Sequence, residues 1–156
     1  MGLAVLFVLF DFMIDIRPRE IQSSYQFTIR NLESDTPQFL RQDNLVILVI
    51  ARSPASIDNL KNETSNLQDA ESRDSNQPDF ADNLLRSRHT EYFVSYGIGT
   101  DLGCALEAIG LELRETCSQA RYDHAGRAIK GENKFRNLTV PDYNFSNNFN
   151  TLTVRP

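Results

Sequence analysis

The sequence predicts an all-β domain that carries one short helix and is preceded by an apolar N-terminal helix. Ten Phe and five Tyr, with no Trp, favour strands over a helical bundle, because aromatic residues suit a pleated, half-buried surface. Several short stretches alternate apolar and polar residues, and clusters of Gly, Pro, Asn and Asp separate them. The length of 156 residues and the hydrophobic content of 40% suit a single domain with a core of ordinary size.

Residues 1–16 read MGLAVLFVLFDFMIDI and predict the apolar helix. Such a helix spans roughly 24 Å, less than the roughly 30 Å of a hydrocarbon core, and Asp11 and Asp15 interrupt it. The basic start and small-residue cleavage site of a signal peptide are both missing. The leading interpretation is a truncated or protein-shielded membrane anchor over residues 1–20, followed by Arg17 and Arg19 at the interface. A buried amphipathic helix and a signal remnant are the alternatives.

The main domain, residues 21–156, begins with two predicted strand regions. Residues 25–29 (YQFTI) alternate, which places Tyr25, Phe27 and Ile29 on one face. Residues 39–50 (FLRQDNLVILVI) predict a hairpin that turns at residues 42–44. Its second strand is a β-branched run, which is typical of a strand buried on both faces. We therefore expect that strand to be central.

Residues 53–89 form a polar insertion with few apolar positions. Residues 56–67 predict its one short helix, with Ser56 as N-cap and with Ile57, Leu60 and Thr64 on one face. The charges of the insertion alternate in sign and do not converge. The rest of the insertion is therefore predicted to be a solvated surface loop without chemistry.

Residues 91–98 (EYFVSYGI) predict another strand, and Gly97, Gly99 and Gly103 mark sharp turns after it. Further on, short strands, a β-turn at residues 123–126, a loop at 131–134 and a final strand near 151–154 are expected. No Walker motif, GxSxG elbow, HExxH or CxxC motif is present.

Charge and cysteine content narrow the function classes. The net charge of −5 and the lack of a basic cluster argue against binding to a nucleic-acid backbone. Cys104 and Cys117 are compatible with one disulfide in an oxidising compartment. Two buried thiols in a cytosolic protein would give the same composition, so both states stay open at this point.

Three segments then show a family resemblance. Residues 97–104 (GIGTDLGC) resemble the first cluster loop of Rieske iron-sulfur proteins, Cys-Thr-His-Leu-Gly-Cys after a strand. Residues 115–131 (ETCSQARYDHAGRAIKG) are similar to the second loop and its exit, and residues 137–145 (NLTVPDYNF) to the Asn-Leu-x-Val-Pro-Pro-Tyr-x-Phe strand. The likeness is strong over residues 91–145 and looser before them, where the chain resembles the Rieske subunit of cytochrome bc complexes. It implies an antiparallel β-sandwich with a small disulfide-tied loop subdomain, residues 97–134.

The resemblance also implies that the cluster ligands are lost. The four ligand positions of the family fall on Gly99, Asp101, Glu115 and Ser118, where a cluster-binding member has Cys, His, Cys and His. A Rieske [2Fe–2S] centre needs two thiolates and two imidazoles, and this set has neither. The histidine that docks quinol is lost with Asp101 and Ser118. The resemblance therefore predicts a chain with no cofactor, no metal and no redox role.

Other family positions are retained. The non-ligand cysteines that bridge the two cluster loops fall on Cys104 and Cys117, and such a bridge contributes about 3 kcal/mol in the chain-entropy model. Tyr122 matches the tyrosine that bonds a cluster-ligating sulfur, although Ala120 replaces the supporting serine. A proline-containing loop of the family reads Gly-Glu-Asn-Lys at residues 131–134 and lacks its prolines. The retained turn and support positions are Gly103, Tyr122, Asp123 and Gly126.

Two hypotheses give the loops a different chemistry. The oxygen atoms of Asp101, Glu115 and Ser118 suit Ca²⁺ or Mg²⁺, but two carboxylates make a sparse site, and solvated loop residues are the simpler interpretation. Cys104 and Cys117 could act as reactive thiols, since Arg114 and Arg121 lie nearby in sequence. A structural bridge is the simpler interpretation.

The remaining polar motifs are weaker. His124 is predicted to be a turn residue, and His89 is separated from it by two predicted elements. Glycosylation sequons begin at Asn62, Asn137 and Asn144, but Asn-rich loops often contain such triplets.

We therefore expect a non-enzymatic, cluster-free, Rieske-like structural or interaction subunit of a membrane or cell-envelope complex. Its partners would be protein subunits, and the membrane through residues 1–16, with no nucleic acid and no small-molecule substrate. The domain would lie in the periplasm, or in the mitochondrial intermembrane space of a eukaryote. The alternative is an electron-transfer subunit of a cytochrome bc-type quinol-oxidising complex.

Overall fold

The computed structural model describes residues 23–156. The predicted N-terminal helix, the membrane anchor and its interfacial arginines lie outside these described residues. Over residues 23–156, none of the helices combines the length and the apolar character that crossing a membrane requires.

The described residues form three antiparallel sheets of three strands each. The first sheet has the order β1-β9-β8, the second β2-β3-β4 and the third β5-β6-β7. The strands are β1 Tyr25–Thr28, β2 Gln38–Gln42, β3 Leu45–Ala51, β4 Tyr92–Tyr96, β5 Leu106–Ile109, β6 Glu112–Glu115, β7 Arg121–Tyr122, β8 Asp142–Phe145 and β9 Thr151–Arg155.

The first two sheets share one hydrophobic core, which confirms the predicted all-β sandwich. Phe27, Leu152 and Val154 contribute from the first sheet, and the β3 run contributes from the second. Residues 47–50 of β3 are all fully buried, and β3 lies between β2 and β4. The continuous apolar run therefore marks a central strand, as predicted.

The predicted hairpin is present, since Gln42 pairs with Leu45 across a turn at Asp43 and Asn44. Asp43 has a φ of 52°, a left-handed conformation that Asp tolerates better than most residues.

The third sheet lies within the loop subdomain. Strands β5 and β6 follow the first loop of the family resemblance and β7 belongs to the second, with Leu113 of β6 opposite Tyr122 of β7. Leu113 and Tyr122 are fully buried and join the main core, so the subdomain is packed onto the sandwich. Strands β5 and β6 were not predicted from the sequence.

Helix α1 covers Pro54–Asn62, so the prediction of residues 56–67 with Ser56 as cap was wrong in its bounds. Ser53 is the N-cap, and its Oγ accepts a hydrogen bond from the Ser56 N–H at 3.2 Å. Pro54 follows the cap, where its fixed φ and missing N–H cost nothing. Ile57 and Leu60 are buried, but Thr64, which was predicted to share their face, lies beyond the helix.

The rest of the insertion is not simply a solvated loop, which corrects the second expectation for this region. It contains a short 3₁₀ helix, Asp79–Ala81, and a fully buried Arg86. The Arg86 guanidinium donates to the carbonyl oxygens of Gly126 (3.1 Å) and Leu138 (2.8 Å). The buried Arg86 thus supplies hydrogen-bond donors to backbone carbonyls inside the domain, which would be costly to leave without a partner.

Candidate functional site

Cys104 and Cys117 form a disulfide, with their Cα atoms 6.0 Å apart. The bridge joins the loop that precedes β5 to the loop that follows β6, as the family resemblance implied. Cys117 is exposed and Cys104 is half-buried.

The neighbouring arginines do not favour a reactive-thiol site. The Nε of Arg114 donates to Glu107 at 2.8 Å, and Arg121 pairs with Glu112 at 3.2 Å. Both guanidinium groups are therefore engaged with carboxylates, and neither is positioned to stabilise a thiolate.

Glu115 lies at the end of β6 and is fully buried. Its Oε1 accepts the backbone N–H groups of Cys104 (2.7 Å) and Leu102 (3.0 Å). Its Oε2 accepts the N–H of Asp101 (3.2 Å) and the hydroxyl of Ser118 (3.3 Å). One buried carboxylate thus holds both loops, through hydrogen bonds of the charge-assisted, stronger kind.

This arrangement argues against a cation at the same place. A carboxylate offers about four acceptor positions, and the four hydrogen bonds use them. Asp101 contributes its N–H to the arrangement. The sulfur atoms of Cys104 and Cys117 lie within 4.8 Å of a Glu115 oxygen, but in a disulfide they are not thiolate ligands. The structure therefore does not favour the Ca²⁺ or Mg²⁺ hypothesis.

Gly99 provides the space for the Glu115 side chain. A Cβ atom at Gly99 would lie 2.7 Å from the Cγ of Glu115 and would also overlap its carboxyl group. Real Cβ atoms do not approach side chains this closely. The resemblance assigns Gly99 and Glu115 to two ligand-cysteine positions of the family. In this structure a residue larger than glycine at position 99 would collide with the glutamate.

Tyr122 is fully buried and bonds the first loop directly. Its hydroxyl oxygen accepts the backbone N–H of Thr100 at 2.9 Å and lies 3.1 Å from the Thr100 hydroxyl. The Thr100 hydroxyl also contacts the carbonyl of Arg136. Burial raises the pKa of Tyr122, so the phenol stays neutral. Tyr122 therefore supports the backbone of the first loop, and the resemblance aligns it with the tyrosine that bonds a cluster sulfur in the family.

The predicted β-turn at residues 123–126 is present, with the Gly126 N–H donating to the Asp123 carbonyl at 2.9 Å. Asp123 accepts the N–H of Ala125 and the N–H of Arg127, both at 2.9 Å. Its other oxygen pairs with the buried Arg127 side chain at 2.6 Å. Gly126 has a φ of +67°, and a Cβ there would press against Phe93 and lie 3.1 Å from the Leu138 Cβ. Both features require glycine at this position.

The other retained glycine, Gly103, has a φ of +78° in the first loop, next to Cys104. A side chain there would meet no neighbouring atom, so the requirement for glycine comes from the backbone conformation alone.

The two histidines have separate environments. His124 is 2% exposed, and neither ring nitrogen has a hydrogen-bond partner within residues 23–156. Burial lowers the pKa of His124, against the opposing effects of Asp35 and Asp123. His89 instead packs against the rings of Phe145 and Phe149, at centroid distances of 5.7 and 5.1 Å. Their positions give no support to a shared metal site.

Sequence reasoning missed Arg86 and the structural role of Asn137. The Asn137 side chain accepts the N–H of Ala128 at 2.8 Å and donates to Asp69 and Ser72 of the insertion at 2.8 and 2.9 Å. The Asn137 amide is thus engaged inside the fold, which does not suit a glycosylation acceptor. No local pattern around residues 86 or 137 indicates burial, because each side chain bonds loops that are distant in sequence.

The side chains at the four ligand positions do not fit a Rieske cluster. Gly99 offers no donor, Asp101 offers a carboxylate, Ser118 offers a hydroxyl, and the Glu115 oxygens are occupied by loop hydrogen bonds. Two thiolates and two imidazoles would be required. Oxygen ligands of this kind cannot replace them.

The chain is similar to known proteins in sequence and in structure. No protein-family model matches it. It is 30% identical to the ubiquinol-cytochrome c reductase iron-sulfur subunit of Allochromatium vinosum over 118 residues, which cover 68% of this chain and 57% of that protein. The chain thus matches little more than half the length of this curated relative.

A solved structure described as hyperthermophilic respiratory Complex III has the same fold. The match has a TM-score of 0.54 and 15% identity, and it covers 97% of this chain and 90% of the other. At 15% identity, this match shows that the two chains share a fold and nothing more. Together with the two bridged loops and the related sequence, it shows that the chain is a Rieske-like protein.

Proposed function

We propose that this chain is a non-redox, cluster-free, Rieske-like subunit with a structural or interaction role in a membrane or cell-envelope complex. Its retained property would be the shape of the loop tip, defined here as residues 97–104 and 115–120.

One observation carries the proposal: the Glu115 carboxylate accepts three backbone N–H groups of the first loop and the Ser118 hydroxyl of the second. Four hydrogen bonds and a disulfide join the two loops through the chain's own residues, which supports a tip that needs no iron to keep its conformation. The requirement for glycine at position 99 supports the same conclusion, since a cysteine there would collide with the glutamate. The two substitutions are compatible with each other and incompatible with a ligand pair.

The proposed membrane complex rests on the relatives. One is named as a subunit of ubiquinol-cytochrome c reductase, and the other is described as respiratory Complex III. A subunit with this fold and without a cluster could pack beside an active Rieske subunit, or could serve in a different envelope assembly. A periplasmic location is part of the proposal and agrees with the disulfide, because disulfides persist in oxidising compartments.

Iron analysis of the purified full chain tests the cluster-free state. The chain would be produced in cells that assemble iron-sulfur proteins, with a cluster-containing Rieske domain prepared in parallel as the positive control. We expect no stoichiometric iron and no EPR signal after dithionite reduction. About two iron atoms per chain together with a Rieske signal would overturn the proposal and support the electron-transfer alternative.

Purification from detergent-solubilised membranes tests the subunit role. We expect the tagged full chain to be recovered in a complex of fixed stoichiometry. A variant with Leu102→Asp, at an exposed apolar residue of the loop tip, should lose partners that contact this surface. Recovery of the chain alone, as a monomer, from both preparations would contradict the structural role.

A further inference from the structure

A cleft of about 530 Å³ lies between helix α1, the segment after it and the turn at residues 123–126. Its volume falls in the range of about 300–1,000 Å³ that is usual for ligand sites. The cleft lies apart from the loop tip, and none of the four degenerate ligand positions lines it.

The base and rim of the cleft are aliphatic. Leu60, Leu67 and Ile129 line it and are 7–8% exposed, and Leu111 at the β5–β6 turn is 61% exposed. Among the described residues no Phe or Tyr ring lines the cleft, and the His124 ring at its base is 2% exposed, although sequence and core are rich in Phe and Tyr. An aliphatic surface without an aromatic platform suits a branched apolar side chain better than a sugar ring or a nucleobase.

Three carboxamides, those of Asn59, Asn62 and Asn66, line the same cleft and are exposed. Within residues 23–156 their side chains form no hydrogen bonds. The neighbouring amide of Gln68 behaves differently, since it donates to Ile129 and Asn133 and accepts the N–H of Phe135. The cleft therefore presents uncommitted groups that both donate and accept, as a peptide backbone requires.

The charges around the cleft leave little attraction for an anion or a strong cation. The Arg127 guanidinium is fully buried and bonds Asp123 and the Leu60 carbonyl, while Glu112 pairs with Arg121. Of the carboxylates that line the cleft, Glu63 has no ionic partner among the described residues. His124 lies 2% exposed at its base, and burial lowers its pKa, so the ring is neutral at pH 7. The lining is nearly neutral and matches a nearly neutral ligand.

We propose that this cleft binds an extended, nearly neutral peptide segment of a partner subunit, with one aliphatic side chain against Leu60, Leu67 and Leu111 and its backbone bonded by Asn59 and Asn66. The inference rests on the proposed interaction role only for the source of the peptide. The binding itself does not depend on whether the loop tip carries iron.

Selection of random heptapeptides displayed on phage against the immobilised full chain tests the proposal. Recovered peptides are then synthesised and titrated calorimetrically. We expect them to share one Leu, Ile, Val or Met and to lack clusters of charge. The variants Leu111→Asp and Asn59→Ala/Asn66→Ala should each weaken binding by roughly tenfold or more. Asn59, Asn66 and Leu111 are all exposed, so both variants should fold.

Ile109→Asp is the matched control, because Ile109 is 44% exposed at the same β5–β6 turn and does not line the cleft. It should leave the affinity unchanged. The proposal is overturned if no peptide family is enriched, if the enriched peptides are strongly charged, or if Leu111→Asp and the double variant bind as tightly as the parent chain. Stoichiometric iron in the same protein would refute the cluster-free proposal and leave the peptide result standing.

Discussion

Two buried charges hold the loops of this molecule, and they do so in opposite ways. At the loop tip, the Glu115 carboxylate gathers backbone N–H groups from Asp101, Leu102 and Cys104. In the insertion, the Arg86 guanidinium gathers carbonyl oxygens, those of Gly126 and Leu138 among them. In each case one charge satisfies several backbone groups that no regular ladder pairs.

The difference lies in what else supports each region. The loop tip has a disulfide across it, whereas no disulfide within residues 23–156 joins the segments that Arg86 bonds. Burial lowers the pKa of Arg86 to about 10, so the side chain remains charged at neutral pH. We therefore expect the domain to depend more on Arg86 than on Glu115.

Replacing Arg86 should have the largest effect. Arg86→Met leaves the carbonyls of Ala125, Gly126 and Leu138 without this donor and should lower the free energy of unfolding by about 4 kcal/mol. Urea denaturation of the oxidised chain measures this change in the free energy of unfolding. Arg73→Met, at a side chain that is 81% exposed in the same insertion, is the control and should change stability by less than about 0.5 kcal/mol. Equal effects of the two variants would refute the role of Arg86.

Gly99→Ala should cost about 3 kcal/mol, because its methyl group would overlap the Glu115 carboxyl. In a Glu115→Ala background most of that cost should disappear. A double-mutant cycle of unfolding free energies measures this coupling. Gly131→Ala, where a Cβ meets no atom within 4 Å, is the control for the substitution itself. Additive costs at positions 99 and 115 would show that the two residues are independent.

Glu115→Gln should cost about 2 kcal/mol, less than the change at Arg86, because the disulfide keeps the loops together. The variant replaces a carboxylate oxygen by an NH₂ group that faces N–H donors. Hydrogen exchange should accelerate at the amides of Asp101, Leu102 and Cys104, while Glu132→Gln on the exposed loop should leave them protected. Unchanged protection in Glu115→Gln would mean that the disulfide alone defines the tip.

The smallest expected effect is a pH dependence from His124. Burial lowers the pKa of His124 below 6.5, so the unfolded chain takes up the proton first as the pH falls. Stability should therefore be full above about pH 6.5, the usual pKa of the histidine in the unfolded chain, and decline as the pH falls toward the lower folded-state pKa. Chemical denaturation of the parent chain and of His124→Gln between pH 7 and pH 5 measures it. An equal decline in both would exclude His124 as its source.

Asp35 does not contribute in that range. Burial raises its pKa, but hydrogen bonds from Ser53 and Ser56 outweigh this effect and lower it below 3.8. A carboxyl with a lowered pKa stabilises the fold above its unfolded value, and that contribution is lost only in more acidic solution.

Local patterns were sufficient to predict much of the sandwich. Alternation identified β1 and β9, and the run at residues 45–50 identified the central strand, because strand burial follows a short period along the chain. The helix was found but misplaced, since Ser53 and Pro54 form a better start than Ser56. The strands β5 and β6 were missed, because exposed Ile109 and Leu111 flank their turn and obscure the alternation.

The sequence by itself determined the family likeness, the cysteine positions and the absence of Cys and His at the positions that the likeness assigns to the cluster ligands, because these depend only on which residue stands where. The tertiary structure decided what the residues at those positions do. That Glu115 points inward, that Gly99 leaves room for it, and that Arg86 is buried are consequences of contacts between distant segments. The identity of a residue specifies the chemistry of its side chain. The hydrogen-bond partners of a buried charge, in contrast, are determined only when the chain has folded around it.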